Sequence, residues 1–208
     1  DMTQGVIWKH FVRFWLPMML GLLVQQMYNT VDTLVVGRFV GTEALAAVGS
    51  TNSIINMLVG LSAGLSTGAS VIISQRYGAH DVKGLHDAVH TTITVTLILC
   101  ALLTCLGVLI VQPMLKMMST PEEVFGEAQS YLTIYFGGIA GLLIYNRGSA
   151  SLRAVGDSKR PLYFLVFSAL MNTGLDLLFV VVLHMGVEGV AWATIIAQGM
   201  SAALVLFS

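Results

Sequence analysis

Two polar residues interrupt one long apolar stretch of the sequence. Residues 161–183 are apolar enough to cross a membrane, yet Asn172 and Asp176 lie near their middle. Four residues separate the pair, so a helix places both side chains on one face, one turn apart. A carboxylate at that depth costs about 2.5–3.5 kcal/mol on insertion scales, which favours a functional role such as binding a coupling ion. The alternative is a buried polar pair that only joins helices.

A second carboxylate lies in the first apolar stretch. Polar residues recur there at intervals of three and four and form one stripe on a predicted helix: Gln25, Tyr28, Asn29 and Asp32. By chain position, Asp32 and Asp176 both lie in the outer halves of outward-running helices, so we expect them to share a pocket. Carboxylates in a low-dielectric pocket repel each other unless a proton or a cation lies between them. Both Na⁺ and H⁺ fit this pattern.

Polar residues also occur in three other apolar stretches. They are Asn52, Ser53 and Asn56 in one, Asn146 alone in another, and Thr194 and Gln198 in the last. Helices with one-sided polar stripes are predicted to enclose a hydrated cavity. The alternative is a set of interhelical hydrogen bonds without a cavity, each worth about 0.6–2 kcal/mol. We prefer that alternative for the stripe at Asn52, Ser53 and Asn56.

The composition is that of an integral membrane protein. Hydrophobic residues make up 56% of the chain and charged residues 10%, and the mean hydropathy is +0.82. A soluble domain carries about 25% charged residues. The net charge of −1 provides no basic field for nucleic acid.

Six stretches are long enough for a membrane span of about 20 residues, and they predict an all-α bundle in one domain. They cover about residues 11–36, 44–75, 88–115, 124–146, 161–183 and 189–208. Of the ten Lys and Arg residues, only Arg38 and Lys116 lie on the side opposite the N-terminus. The positive-inside rule therefore predicts both termini in the cytoplasm of a prokaryotic inner membrane.

Neither cysteines nor histidines form a recognisable site pattern. Cys100 and Cys105 lie in one apolar helix and are interpreted as buried small hydrophobes. The five histidines are spread over the loops and are not predicted to converge: His10, His80, His86, His90 and His184. We expect no cofactor, and no metal site beyond a Na⁺ held by the polar span residues.

Several motifs resemble one transporter family. They are P-x14-D followed by VGRFVG, ALAAVG opening the second span, SQRYGAHD after it, SLRAVGDSKRP before the fifth span, and N-x3-D within the fifth. Together they resemble the N-terminal half of a multidrug and toxic compound extrusion (MATE) transporter of the prokaryotic DinF/NorM-like kind.

The resemblance implies a six-helix lobe, two of which face each other in a twelve-helix transporter that exports organic cations and drugs against inward Na⁺ or H⁺ flow. It implies a coupling-ion or proton site at four positions: Asp32, Asn172, Asp176 and Thr194. Tyr28 and Asn146 match nearby polar positions, and Gln25 and Asn29 are grouped with them. The expected partners are the lipid bilayer, small drug-like cations, and a second lobe from a C-terminal half or a second copy.

Three alternatives use the same residues differently. A flippase for lipid-linked substrates is disfavoured because the charges within the spans are acidic. An intramembrane aspartyl protease would use Asp32 and Asp176, but the sequences NTVDTL and NTGLDLL lack the YD and GxGD motifs of such enzymes. The third alternative is a half-lobe with a structural role and no transport. No enzymatic activity is expected.

Overall fold

The computed structural model describes residues 7–208, which are helical except for short turns. The side chains of residues 7, 9–11, 13 and 14 lie outside this description, so nothing is said of His10 or of the basic residues Lys9 and Arg13. Seven α-helices follow one another: α1 (Ile7–Val35), α2 (Thr42–Gly78), α3 (Val82–Met117), α4 (Glu122–Gly137), α5 (Ile139–Ala154), α6 (Lys159–Asp176) and α7 (Gly186–Leu206). Two π-helical segments extend α1 and α6, π1 (Val36–Val40) and π2 (Leu177–Val182).

The predicted spans correspond to these helices with one difference. The span expected at 124–146 is divided at Gly138, and its helical structure continues as α5 to Ala154. The Gly138 amide still donates to the carbonyl of Ile134 at 3.0 Å, so the chain bends at this point without forming a separate loop. Because Gly138 carries no side chain, Ile195 of α7 can occupy the space where a Cβ would lie.

Four helical stretches are long and apolar enough to cross a membrane: Thr42–Gly78, Val82–Met117, Lys159–Val182 and Gly186–Leu206. The other two expected spans are less regular among the described residues. The polar stripe lowers the hydropathy of α1, and Gly138 divides α4 from α5. Their membrane crossing stays a prediction from the sequence.

Helix α7 forms the centre of the bundle. Half of its most apolar window is buried, against 17–22% for the other three candidate spans. Small residues allow this close packing, as is usual in membrane helix bundles. A Cβ added at Gly141 of α5 would lie 2.9 Å from the backbone nitrogen of Gly199 in α7. The backbones of α5 and α7 are therefore nearly in contact.

Helices α2 and α3 expose large apolar side chains. Leu61, Ile72, Ile98 and Leu109 are among the exposed residues. These apolar surfaces are suited to contact with lipid chains. Cys105 belongs to this exposed surface, whereas Cys100 is buried. The prediction that both cysteines are buried is wrong for Cys105, because five residues of helix turn the two side chains to different faces.

Candidate functional site

Helices α1 and α6 bring Asp32 and Asp176 together, as their chain positions predicted. The two carboxyl groups are neighbours in one pocket. Asp176 is fully buried, at 0% exposure, and Asp32 is half-buried. Three oxygens, Oδ1 of Asp32 and both oxygens of Asp176, have no hydrogen-bond partner among the described residues. Buried carboxylate oxygens without donors are costly, so this pocket has the character of an incomplete binding site.

Asn172 extends the pocket one helical turn along α6. It is 1% exposed, and its side-chain nitrogen lies 3.5 Å from Oγ1 of Thr194, at the long limit of a hydrogen bond. The Oδ1 atom of Asn172 is buried without a partner. The four predicted site residues thus lie in one region between α1, α6 and α7, and they supply oxygen atoms from a carboxylate pair, an amide and a hydroxyl.

Helix α4 adds two tyrosines that the sequence analysis did not select. Tyr131 and Tyr135 are 3% and 4% exposed, and their rings are nearly parallel with centroids 6.3 Å apart. Both phenols lie near the carboxylate of Asp32. The hydroxyl of Tyr135 contacts Gln198 of α7. Spacing by four in an apolar helix was their only sequence signal, and it equally describes ordinary core tyrosines.

Tyr28 joins this cluster from α1. Its phenol lies beside Thr194 and near both carboxylates. The hydroxyl oxygen is buried and has no well-aligned hydrogen-bond partner. Eight residues form this cluster, the carboxylate pocket: Tyr28, Asp32, Tyr131, Tyr135, Asn172, Asp176, Thr194 and Gln198.

A π-helical segment follows each carboxylate. π2 begins at Leu177, directly after Asp176, and π1 begins four residues after Asp32. The wider winding changes which side chains face the bundle beyond that point, and π-helical turns occur frequently at functional sites. Val36 of π1 and Val180 of π2 are both buried. The backbone is thus irregular on the same side of both acidic residues.

The remaining predicted polar residues do not enter this pocket. Gln25 and Asn29 of α1 are exposed. So are Asn52, Ser53 and Asn56 of α2, and the interpretation of these three as interhelical hydrogen-bond partners is wrong within this chain. Their side chains face away from the packed interior. They form an open polar surface that needs water or another polypeptide beside it.

Asn146 was expected near the ion site and lies elsewhere. Its side-chain nitrogen donates to Oγ of Ser62 in α2 at 3.1 Å. The neighbouring Arg147 donates from Nη1 to the carbonyl of Leu65 at 2.7 Å. Both contacts join α5 to α2, so the structure gives Asn146 a packing role at a different helix pair from the carboxylates.

The described residues contain no group of three or more His, Cys, Asp or Glu side chains that could hold a metal ion. The oxygens of the carboxylate pocket are hard ligands from mixed residue types. Such a set suits an alkali cation or a proton.

Comparison with known proteins places this chain in a family. The MatE family model matches residues 17–178, which include Asp32, Asn172 and Asp176. The chain belongs to the MatE family. The probable multidrug resistance protein YpnP of Bacillus subtilis is 35% identical over 201 residues, which cover 97% of this chain and 45% of that protein. A FAD transporter of Shewanella oneidensis is 24% identical, over 86% of this chain and 40% of its own length.

A solved structure has the same fold as this chain. An outward-facing multidrug resistance MATE family transporter of the MOP superfamily matches with a TM-score of 0.91 and 30% identity. The match covers 96% of this MatE chain and 44% of that transporter. The chain therefore has the fold of one MATE lobe and spans less than half the length of the relatives it matches.

Proposed function

We propose that this MatE chain is one lobe of a cation-coupled exporter of drug-like organic cations. The observation that carries the proposal is the carboxylate pair Asp32 and Asp176, which lie in one pocket with three buried oxygens that have no donor among the described residues. Bound Na⁺ or H⁺ would supply the missing positive charge. The family membership makes transport the activity to which that charge is coupled.

The pocket can respond to ion binding because it joins different helices. Asp32 lies on α1, Asn172 and Asp176 on α6, and Thr194 on α7. A cation drawn to all four would hold these helices in one packing, and its loss would release the repulsion between the carboxylates. An ion shifts a conformational equilibrium only by binding one state more tightly. We propose that the two access states differ in the separation of Asp32 from Asp176.

The exposed polar residues support a second lobe as partner. Gln25, Asn29, Asn52, Ser53 and Asn56 cannot face lipid without a large cost. The relatives are more than twice as long as the part matched here. We propose that this polar surface lines one wall of a hydrated cavity in the inner membrane, with both termini in the cytoplasm.

The cargo is inferred from charge. The acidic pocket and the neutral polar surface favour a cationic cargo. One relative carries a flavin nucleotide, which is anionic, so the family tolerates other cargoes. FAD and a lipid-linked pyrophosphate are therefore the competing substrates in the test, and a flippase activity is the competing function.

Transport by reconstituted protein tests the proposal. Two samples are reconstituted in proteoliposomes: the chain alone, and the chain fused to the remaining half of the YpnP relative. A Na⁺ or an H⁺ gradient is imposed on each. We expect ethidium efflux on one gradient, and its loss in Asp176→Asn. Thr173→Ala is the matched control, since Thr173 on the same helix donates only to the Ala169 carbonyl of its own helix. Undiminished coupled transport by Asp176→Asn would remove the carboxylate pair from the mechanism, and transport of FAD instead of ethidium would reverse the cargo.

A further inference from the structure

Two histidines meet on the first turns of α3, far along the chain from the carboxylate pocket. The Nε2 atoms of His86 and His90 are 3.0 Å apart. Their ring centroids are separated by 4.2 Å, with the planes inclined at 49°. Both residues are exposed to the surroundings. The prediction that the histidines do not converge is wrong for this pair, because a spacing of four places them one helical turn apart on one face.

The separation of the two nitrogens fits a chelated metal ion. Imidazole nitrogens bind first-row metals at about 2.0–2.1 Å, so a right-angle N–metal–N bite puts the nitrogens about 3.0 Å apart, whereas a tetrahedral bite puts them about 3.4 Å apart. The observed distance matches the right angle. Square-planar and tetragonal sites of this kind are typical of Cu²⁺ and Ni²⁺.

We propose that His86 and His90 form a two-histidine site for a divalent transition metal of the Cu²⁺ or Ni²⁺ type. The ion would replace the hydrogen bond that now joins the two Nε2 atoms. Water molecules would complete the coordination, since the described residues provide no third His, Cys, Asp or Glu ligand in the same group. The bound ion would link the second and third turns of α3, near the turn that joins α2 to α3.

Asp87 carries a negative charge beside one of the rings, at a distance too long for a hydrogen bond. Its Oδ1 atom lies 3.9 Å from Nδ1 of His86. Metal binding at Nε2 requires the proton of a neutral imidazole to reside on Nδ1, and a nearby carboxylate stabilises that tautomer. Binding by this route moves a proton between the two nitrogens of one ring and releases none. Asp87 would thus act on the proposed site through its charge alone.

Metal titration of the purified chain tests the site. The protein carries no polyhistidine tag and is titrated with CuCl₂, NiCl₂ and ZnCl₂ by calorimetry, and the Cu²⁺ complex is examined by electron paramagnetic resonance. We expect one equivalent of Cu²⁺ bound through two imidazole nitrogens, and a loss of affinity of at least ~10-fold in His86→Gln and in His90→Gln. His80→Gln and His184→Gln are the controls and should bind as the wild type does.

The outcomes separate the site from adventitious binding. Cu²⁺ binding that survives the His86→Gln/His90→Gln double substitution would overturn the proposal. Cu²⁺ binds most tightly to nearly any such ligand set, so its affinity does not report the N–metal–N angle. The affinity for Ni²⁺ compared with that for Zn²⁺ tests this angle. Tighter binding of Zn²⁺ than of Ni²⁺ would contradict the right-angle geometry. Asp87→Asn should weaken binding less than either histidine substitution while leaving two nitrogen ligands in the spectrum.

Discussion

The carboxylate pocket and the turn between α2 and α3 both contain aspartates, but these aspartates differ in burial and in hydrogen-bond partners. In the pocket, both oxygens of Asp176 are buried and lack a donor. In the turn, Asp81 accepts from the Gly84 amide at 2.9 Å and from Nη1 of Arg76 at 2.9 Å. The side chains of Arg76 and Asp81 are 54% and 38% exposed. One aspartate is paired in water and the other is unpaired in the interior.

This difference distinguishes a structural acid from a binding acid. Exposed ion pairs contribute little to stability, and Asp81 instead serves as the N-cap of α3. A buried unpaired carboxylate such as Asp176 lowers stability, and its position beside a second carboxylate makes the pocket a candidate binding site. Substitutions in the two regions should therefore differ in their effects on stability and on ion binding.

The largest effect is expected for Asp176→Asn. In wild-type protein the coupling ion should raise the unfolding temperature, because binding at 100 times Kd stabilises by about 2.7 kcal/mol. The variant lacks the charge that attracts the ion, so its unfolding temperature should not respond to Na⁺ and should lose the part of the pH response that arises in the pocket. Without ion it should be as stable as the wild type or more so, because an unpaired buried charge is removed. Thermal unfolding in detergent, with Na⁺ varied against choline and with pH varied, gives the measurement. An equal response in the variant would mean that the ion binds elsewhere.

Gly141→Ala should cause the next largest effect, on stability. The added Cβ would lie 2.9 Å from the backbone nitrogen of Gly199, so α5 and α7 must separate. Overpacking of this kind costs about 1–3 kcal/mol. Gly64→Ala is the control, because a Cβ at Gly64 meets no atom within 4 Å and alanine is the better helix former. Denaturation of both variants should show a lower midpoint for Gly141→Ala alone. Equal midpoints would show that α7 is not held as tightly as the site requires.

Thr194→Ala should have a smaller effect, confined to the ion. It removes one oxygen from the pocket and the weak contact with Asn172, a change of about 0.5–1.5 kcal/mol or a few-fold to ~10-fold in ion affinity. Thr173→Ala serves as the matched control. Ion-dependent unfolding temperatures over a concentration series report the affinity of each variant. A loss of the same size in both would assign the effect to helix stability and not to the pocket.

The sequence predicted the helices and the pairing of Asn172 with Asp176 on one helix face because both depend on local rules. Apolar length fixes the position of a helix, and spacing by four fixes the face shared by Asn172 and Asp176. The positions missed were those decided by packing between helices. Tyr131 and Tyr135 enter the pocket only because α4 lies against α7, and Asn146 meets Ser62 only because α5 lies against α2. A polar stripe also looks the same whether it faces a neighbouring helix or open space, which is why the stripe at Asn52 was misassigned.

The smallest effect is expected at Asp81 and depends on pH. The Gly84 amide and the Arg76 guanidinium hold the pKa of Asp81 below its usual value. A lowered folded-state pKa gives stability that is present above the unfolded pKa of about 3.9 and is lost as pH falls through the folded value. Asp81→Asn should therefore unfold at a slightly lower temperature than the wild type at neutral pH, and the difference should shrink on acidification. Asp87→Asn, which caps no helix, is the control and should unfold at the same temperature as the wild type at neutral pH. A gap between wild type and Asp81→Asn that stayed constant with pH would mean that the carboxylate charge is not what caps α3.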